Sequence, residues 1–168
     1  MNNLPVRKHS RLKGYDYSQN GAYFITFCVK DMHEMLGQIT VGCSILDAPY
    51  IELSEYGKAL MEVIEFLTNR KSEIDIVNYV IMPNHVHLIV VINGLHNGAS
   101  GMPHPTNAVI PKFISSIKRF TNKKAGFSLW QRSYHDHIIR NREEYLRIWK
   151  YIDENPSLWS DDIYFVNS

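Results

Sequence analysis

The sequence predicts an α+β fold in which an antiparallel sheet is backed by helices. Strand-like segments with many β-branched and aromatic residues are interspersed with segments whose apolar residues recur every three or four positions. A short turn joins two of the strand-like segments, which favours antiparallel pairing. With 168 residues, 45% of them hydrophobic and 21% charged, the chain is long enough for one well-buried core.

The first strands are predicted by composition and turn signals. An Asn-Gly turn precedes residues 22–29 (AYFITFCV), which we expect to form the first strand. Residues 36–39 and 50–53 predict a weaker hairpin around residues 47–49.

A helix and a second hairpin follow. Ser54 is a suitable N-cap for a helix that we expect to end near Asn69. Apolar and polar residues alternate over 73–81, which predicts a strand. A turn at 82–84 then leads into the next strand. The helix is predicted from the three- and four-residue spacing of Leu60, Val63, Ile64 and Leu67.

The second half begins with a Gly- and Pro-containing loop at residues 93–107. A helix at 108–124, an extended segment at 129–139 and a helix from Asn141 to the Asn-Pro pair at 155–156 complete the order β-α-β-β-α-β-α. This is a ferredoxin-like or RRM-like arrangement. The inward residues of the 108–124 helix are predicted to be Val109, Phe113, Ile117 and Phe120.

Two histidines that flank one apolar residue mark the strand after the turn. Alternate side chains of a strand share a face, so His85 and His87 should point the same way and Val86 the opposite way. Two imidazoles leave positions open for a third ligand, water and substrate oxygens, as in a catalytic metal site. The alternative is that the pair decorates the polar face of an exposed strand.

A second His-x-His, formed by His135 and His137, is another candidate metal site. Its neighbours Arg132 and Arg140 add positive charge, which suits phosphate better than a cation. His137 could instead support ligands from outside the metal's coordination shell.

On the last helix, Tyr151 and Asn155 are four positions apart and therefore share one face. Together they could supply a nucleophile and a third metal ligand. Spacing alone also allows Tyr151 to cover the core with its ring and Asn155 merely to end the helix.

The net charge is only +1, but the charges are unevenly distributed. Residues 101–151 contain ten Lys or Arg and three acids, whereas residues 31–100 contain three basic and nine acidic residues. This asymmetry suggests a nucleic-acid face, with chance clustering as the alternative. The candidate DNA contacts are Arg7, Lys8, Arg11, Lys112, Lys118, Arg119, Lys123, Arg132 and Arg140.

Two cysteines, Cys28 and Cys43, are too few for a disulfide framework and are expected to be reduced core residues. The polar, basic start and the lack of a long apolar run predict a cytoplasmic protein with no membrane span. We expect a single domain over residues 1–168, with a basic arm at 1–14 and a short tail at 157–168.

Three separated motifs together resemble the REP-associated tyrosine transposases. They are residues 15–24 (YDYSQNGAYF), residues 82–88 (MPNHVHL), and residues 130–137 (WQRSYHDH) followed by 151–156 (YIDENP). This family belongs to the single-tyrosine, His-hydrophobic-His (HUH) endonucleases and is related to small insertion-sequence transposases. The resemblance extends from about residue 11 to residue 156.

The resemblance implies an enzyme that cleaves and rejoins single-stranded or hairpin DNA through a 5′-phosphotyrosine. It implies Mg²⁺ or Mn²⁺ held by His85, His87 and Asn155, with Tyr151 as nucleophile and Tyr145 as its rival on the same helix. Relatives leave both a monomer and a homodimer open. The main alternative is a nucleic-acid-binding protein that keeps the fold without cutting; hydrolysis of a small phosphoester fits the basic helix less well.

Overall fold

The structure, a computed structural model, describes residues 20–41, 48–69, 74–93 and 109–165. Its main sheet has the order β4-β5-β1-β6, every neighbouring pair is antiparallel, and β2 pairs with β3 in a separate hairpin. The predicted fold and element order are confirmed. The strands are β1 (Gly21–Cys28), β2 (Gly37–Thr40), β3 (Tyr50–Leu53), β4 (Ile74–Ile81), β5 (His85–Ile92) and β6 (His135–Ile139), and the helices are α1 (Glu55–Thr68), α2 (Val109–Ala125) and α3 (Arg142–Glu154).

The two faces of the sheet carry different helices. On one face, alternate residues of β5 such as Val86 and Leu88 join a large core with residues of α1 and α2. On the other face, Ile89 packs against Ile148 and Ile152 of α3. Because the side chains of a strand alternate, His85 and His87 lie on the same side as Ile89 and therefore face α3.

Both predicted helix starts are confirmed by side-chain caps. The Ser54 hydroxyl accepts from the backbone N–H of Gly57 at 3.2 Å, and the Asn141 side chain accepts from that of Glu144 at 2.8 Å. The end of α3 also agrees with expectation, since Asn155 and Pro156 open a 3-10 turn over Asn155–Asp161. This turn carries the chain back across the face of the sheet that α3 covers.

The buried face of α2 differs from the predicted one. Ile117 is buried as expected, but Phe120 is 40% exposed and the buried position in that turn is Thr121. The reason is that the Thr121 hydroxyl accepts a 2.6 Å hydrogen bond from the indole N–H of Trp130, which a phenyl ring could not do. In the part of the chain that the structure describes, no helix is both long enough and apolar enough to cross a membrane.

Candidate active site

The two histidines of β5 converge on one point, as their spacing predicts. Both rings are almost completely buried, and their Nε2 atoms lie 3.0 Å apart. In the register of the sheet, His87 lies beside Thr26 of β1 and His85 beside Cys28. The pair therefore occupies an interior strand and is not decoration on an exposed edge.

The tautomer of His85 follows from its neighbour Asn84. The Asn84 amide nitrogen donates to two carbonyl oxygens, those of Met32 at 3.2 Å and Tyr164 at 2.8 Å. Its oxygen therefore faces His85 Nδ1, at 2.9 Å, and accepts a hydrogen bond from the Nδ1–H. His85 thus keeps its Nδ1 protonated and presents a lone pair on Nε2.

The Thr26 hydroxyl holds His87 in a similar way, at 2.7 Å from Nδ1. A hydroxyl can accept from a protonated Nδ1, and the Nε2 of His87 then also carries a lone pair. At 3.0 Å the two Nε2 atoms are close enough for one to donate a hydrogen bond to the other, and with both Nδ1 atoms protonated both Nε2 lone pairs are available to a cation. The donor set therefore fits a metal ion, with Asn84 and Thr26 as the groups that orient the ligands.

Burial keeps both imidazoles neutral, as metal ligands must be. It lowers the pKa of His85 from 6.5 to about 3. The pKa of His87 is lowered well below its usual value, first by burial and then by His85, while Asp162 acts in the opposite direction. Aromatic side chains cover the imidazole rings. The ring centroids of Tyr164 and Trp159 lie 4.5 Å and 5.9 Å from that of His85.

The tyrosine that reaches this pair is Tyr151. Its hydroxyl lies 3.2 Å from His87 Nε2 and donates to Asp162 Oδ2 at 3.1 Å. Burial, followed by the charge of Asp162 and the hydrogen bond to it, raises the pKa of Tyr151 above its usual value. Tyr145, the rival, lies elsewhere on α3 and packs against Trp149, 5.7 Å between ring centroids.

Asn155 and Asp162 complete the cluster. Asn155 is buried, and its Nδ2 donates to Asp162 Oδ2 at 2.7 Å. Among the described residues its Oδ1 has no hydrogen-bond partner. Sequence reasoning did not select Asp162, because two adjacent acids after Trp159 have no characteristic spacing to a histidine motif more than 70 positions earlier.

Within the described ranges, the one group of three or more His, Cys, Asp or Glu residues placed to hold an ion consists of His85, His87 and Asp162. The second His-x-His is not part of it. His137 Nε2 lies 2.7 Å from Glu144 Oε1, and His135 is exposed on β6. His137 is thus hydrogen-bonded to Glu144 at the start of α3.

The predicted DNA contacts that the structure describes lie on more than one side of the sheet and are not gathered at the histidines. Lys112, Arg119 and Lys123 are exposed on α2, whose helix packs on the opposite face of the sheet. Arg132 and Arg140 are exposed just before and just after β6, which is an edge strand of the main sheet. Arg7, Lys8 and Arg11 lie outside the described residues, as does Cys43, whereas Cys28 is a buried free thiol as expected.

Lys118, another of the predicted DNA contacts, is only partly exposed and turns towards the loop before β6. Its ammonium donates to the carbonyl oxygens of Gln131 at 2.9 Å and Ser133 at 2.7 Å. Burial lowers its pKa to about 8, against the opposing effect of Cys28. Lys118 therefore ties α2 to the loop before β6.

Comparison with known proteins agrees with this geometry. The family described as "Transposase IS200 like" matches residues 50–155, which include β5 and the whole of α3. The chain belongs to this family of IS200-like transposases. The relation to small insertion-sequence transposases that the motifs implied is thereby confirmed.

Two relatives illustrate how far the likeness extends. An uncharacterized protein of Haemophilus influenzae is 30% identical over 176 residues, covering 96% of this chain and 94% of that protein. The structure of a REP-associated tyrosine transposase bound to a REP hairpin superposes with a TM-score of 0.56. That match covers 88% of this chain and 73% of the other at 19% identity, so it establishes a shared fold.

Proposed function

We propose that this transposase is a metal-dependent, single-strand-specific DNA endonuclease and strand-transferase that acts on hairpin DNA through Tyr151. The observation that carries the proposal is the position of the Tyr151 hydroxyl, 3.2 Å from Nε2 of a buried histidine pair. A tyrosine nucleophile beside ligands suited to a divalent ion is an arrangement that can support covalent cleavage of a phosphodiester.

His85, His87 and Asn155 would hold the ion. The two imidazoles present neutral nitrogen donors, and the buried Oδ1 of Asn155, which has no hydrogen-bond partner among the described residues, supports a role for this amide as third ligand. A bound Mg²⁺ or Mn²⁺ would polarise the scissile phosphate and offset the negative charge that develops during displacement.

The reaction then depends on Tyr151 and its partners. The hydroxyl oxygen forms a bond to phosphorus while the bond from phosphorus to the 3′ oxygen breaks. The hydroxyl proton is lost to solvent during the attack, and the departing 3′ oxygen takes up a proton from water. The products are a 5′-phosphotyrosine and a free 3′-hydroxyl, and attack by another 3′-hydroxyl reverses the step and joins strands without ATP.

Hairpin DNA is the substrate that the surface and the fold favour. The REP-associated transposase that shares this fold is bound to a REP hairpin. Here, Arg132 and Arg140 flank the β6 edge, so a strand could run from the exposed basic residues of α2 around that edge towards Tyr151. Tyr151 is 36% exposed while the histidines are covered, which favours approach of the phosphate from the tyrosine side.

The test is incubation of the full chain with end-labelled single-stranded hairpins and Mn²⁺, followed by a denaturing gel and peptide mapping. We expect a covalent adduct on Tyr151 that is absent in Tyr151→Phe and retained in Tyr145→Phe. Binding of hairpins without any adduct, in Mg²⁺ or Mn²⁺, would instead favour the non-cutting DNA-binding protein. Full cleavage by Tyr151→Phe would reject Tyr151 as the nucleophile.

A further inference from the structure

The carboxylate of Asp162 is held in place by several hydrogen bonds. Its backbone N–H donates to the carbonyl oxygen of Trp159 at 3.1 Å, and its Oδ1 accepts from the backbone N–H of Tyr164 at 2.7 Å. Its Oδ2 accepts from Asn155 and Tyr151, at 2.7 and 3.1 Å. Such a network fixes the position of a side chain and, with it, the direction in which its charge acts.

This fixed carboxylate lies within reach of both imidazoles. One ligand atom from each of His85, His87 and Asp162 can be chosen so that all lie within 4.8 Å of one another. Ligands of a small divalent ion lie about 2.1 Å from it, so two of them are at most about 4.2 Å apart. Neighbouring ligands of an octahedral ion lie about 3.0 Å apart, which is also the distance between the two Nε2 atoms. The carboxylate oxygen would therefore have to approach the histidine pair by up to about 1.8 Å to share the ion.

The charges of the other ligands also favour a carboxylate at this site. Two neutral imidazoles and an amide contribute no negative charge to a divalent ion, whereas hard ions such as Mg²⁺ and Mn²⁺ prefer carboxylate oxygens. In the described part of the chain, the ion pairs found do not involve Asp162. A half-buried carboxylate among aromatic rings and neutral histidines is stabilised by a cation, and a metal ion on the histidine pair would supply one.

We propose that Asp162 is the anionic ligand of the metal ion bound by His85 and His87. This inference rests on the proposed function and adds a ligand that lies beyond the last helix, in the segment after the 3-10 turn. Asn155 then has two roles, since its Nδ2 positions the Asp162 carboxylate while its Oδ1 remains available to the ion. Four protein ligands leave about two positions of an octahedral ion for substrate oxygens.

Metal binding by the full chain, measured without DNA, tests the proposal. Free Mn²⁺ is quantified by electron paramagnetic resonance during titration of the wild type and of Asp162→Asn, Asp161→Asn and His85→Gln. Asp161→Asn is the matched control, because it removes the same charge from the adjacent, exposed position. We expect binding at least about tenfold weaker in Asp162→Asn and within about twofold of wild type in Asp161→Asn.

The outcomes separate this inference from the proposed function. Unchanged Mn²⁺ affinity in a folded Asp162→Asn, together with a loss in His85→Gln, overturns the role of Asp162 and leaves the histidine site intact. No Mn²⁺ binding by the wild type overturns both the metal site and this ligand. The thermal unfolding of each variant without metal shows whether it is folded.

A ligand exchange tests direct coordination. Asp162→Cys places a thiolate where the carboxylate lies, and soft sulfur ligands favour Cd²⁺ over Mn²⁺. We expect Cd²⁺ to produce a thiolate-to-metal charge-transfer band in Asp162→Cys. This band should exceed the background that Cys28 and Cys43 give in the control variant Asp161→Cys. Absence of that additional band in folded Asp162→Cys would contradict direct ligation.

Discussion

The Tyr151 hydroxyl lies 3.2 Å from Nε2 of His87, although the two residues are 64 positions apart in the chain. β5 holds the histidine in the middle of the sheet, and α3 packs across the same face through Ile148 and Ile152. Because Tyr151 lies between these two core positions on the helix, the packing of α3 also determines how far the hydroxyl is from the histidines. Core packing and site geometry are therefore coupled in this transposase.

Asn84→Ala should weaken both the fold and metal binding. The variant removes two hydrogen bonds to carbonyl oxygens. It also removes the acceptor that keeps the proton of His85 on Nδ1. We expect a loss of about 1–3 kcal/mol in unfolding free energy and Mn²⁺ binding about 10–100-fold weaker. Urea unfolding and Mn²⁺ titration measure the two effects.

Asn78→Ala is the control for that prediction. The Asn78 amide donates to Asp153 at the surface, 3.1 Å away, and does not contact the histidines. It should leave Mn²⁺ affinity unchanged. Equal metal affinities in wild type and Asn84→Ala would show that Asn84 does not orient His85 for binding.

Lys118 and Arg119 are adjacent in sequence but should respond differently to removal of charge. Arg119→Gln should lower the slope of log affinity against log salt for hairpin DNA by about 0.7–0.9, as expected for one lost phosphate contact. Lys118→Met should instead lower the melting temperature, because the carbonyl oxygens of Gln131 and Ser133 lose their donor.

The measurements for this pair are binding isotherms at several salt concentrations and thermal unfolding. If both variants changed the salt slope equally and neither changed the melting temperature, the structural role of Lys118 would be refuted.

Local patterns in the sequence were enough to predict the elements and the histidine pair. Alternation along β5 placed His85 and His87 on one face, and the caps at Ser54 and Asn141 gave the starts of α1 and α3. These features depend on residues within a few positions of one another, and so they can be read without knowledge of the tertiary structure.

Features that depend on long-range packing could not be predicted in this way. Asp162 reaches the histidines only because the 3-10 turn after α3 folds back over β5. Lys118 matches the outward pattern of α2 by spacing, yet the loop before β6 covers it. The placement of α2 on the face opposite the histidines also follows from sheet topology, which periodicity does not reveal.

Gly57→Ala should destabilise the fold without touching the candidate site. A Cβ at Gly57 would lie 2.0 Å from the carbonyl oxygen of Leu36, which accepts from the backbone N–H of Ser54 at 2.9 Å. Either the start of α1 or that backbone would have to move, at a cost on the order of 1–3 kcal/mol or more.

Chemical denaturation of Gly57→Ala and Gly21→Ala checks this. At Gly21 the nearest atom to an added Cβ is a Tyr23 ring carbon at 3.7 Å, an ordinary contact. Gly21→Ala should therefore be close to wild type. Equal stabilities for the two variants would mean that α1 does not need this close approach.

Acid should destabilise the metal-free protein through His85. Burial lowers the pKa of His85 from 6.5 to about 3, so between these values the unfolded chain binds a proton that the folded chain does not. The stabilising contribution is complete above about pH 6.5 and is lost as the pH falls, by up to about 1.4 kcal/mol per pH unit for one histidine. Urea unfolding in the presence of a chelator, from pH 7 down to pH 4.5, measures this slope. His85→Gln should reduce the slope and leave the part that is due to His87, whose pKa is also lowered by burial. An unchanged slope in folded His85→Gln would show that His85 is protonated as readily in the folded as in the unfolded chain.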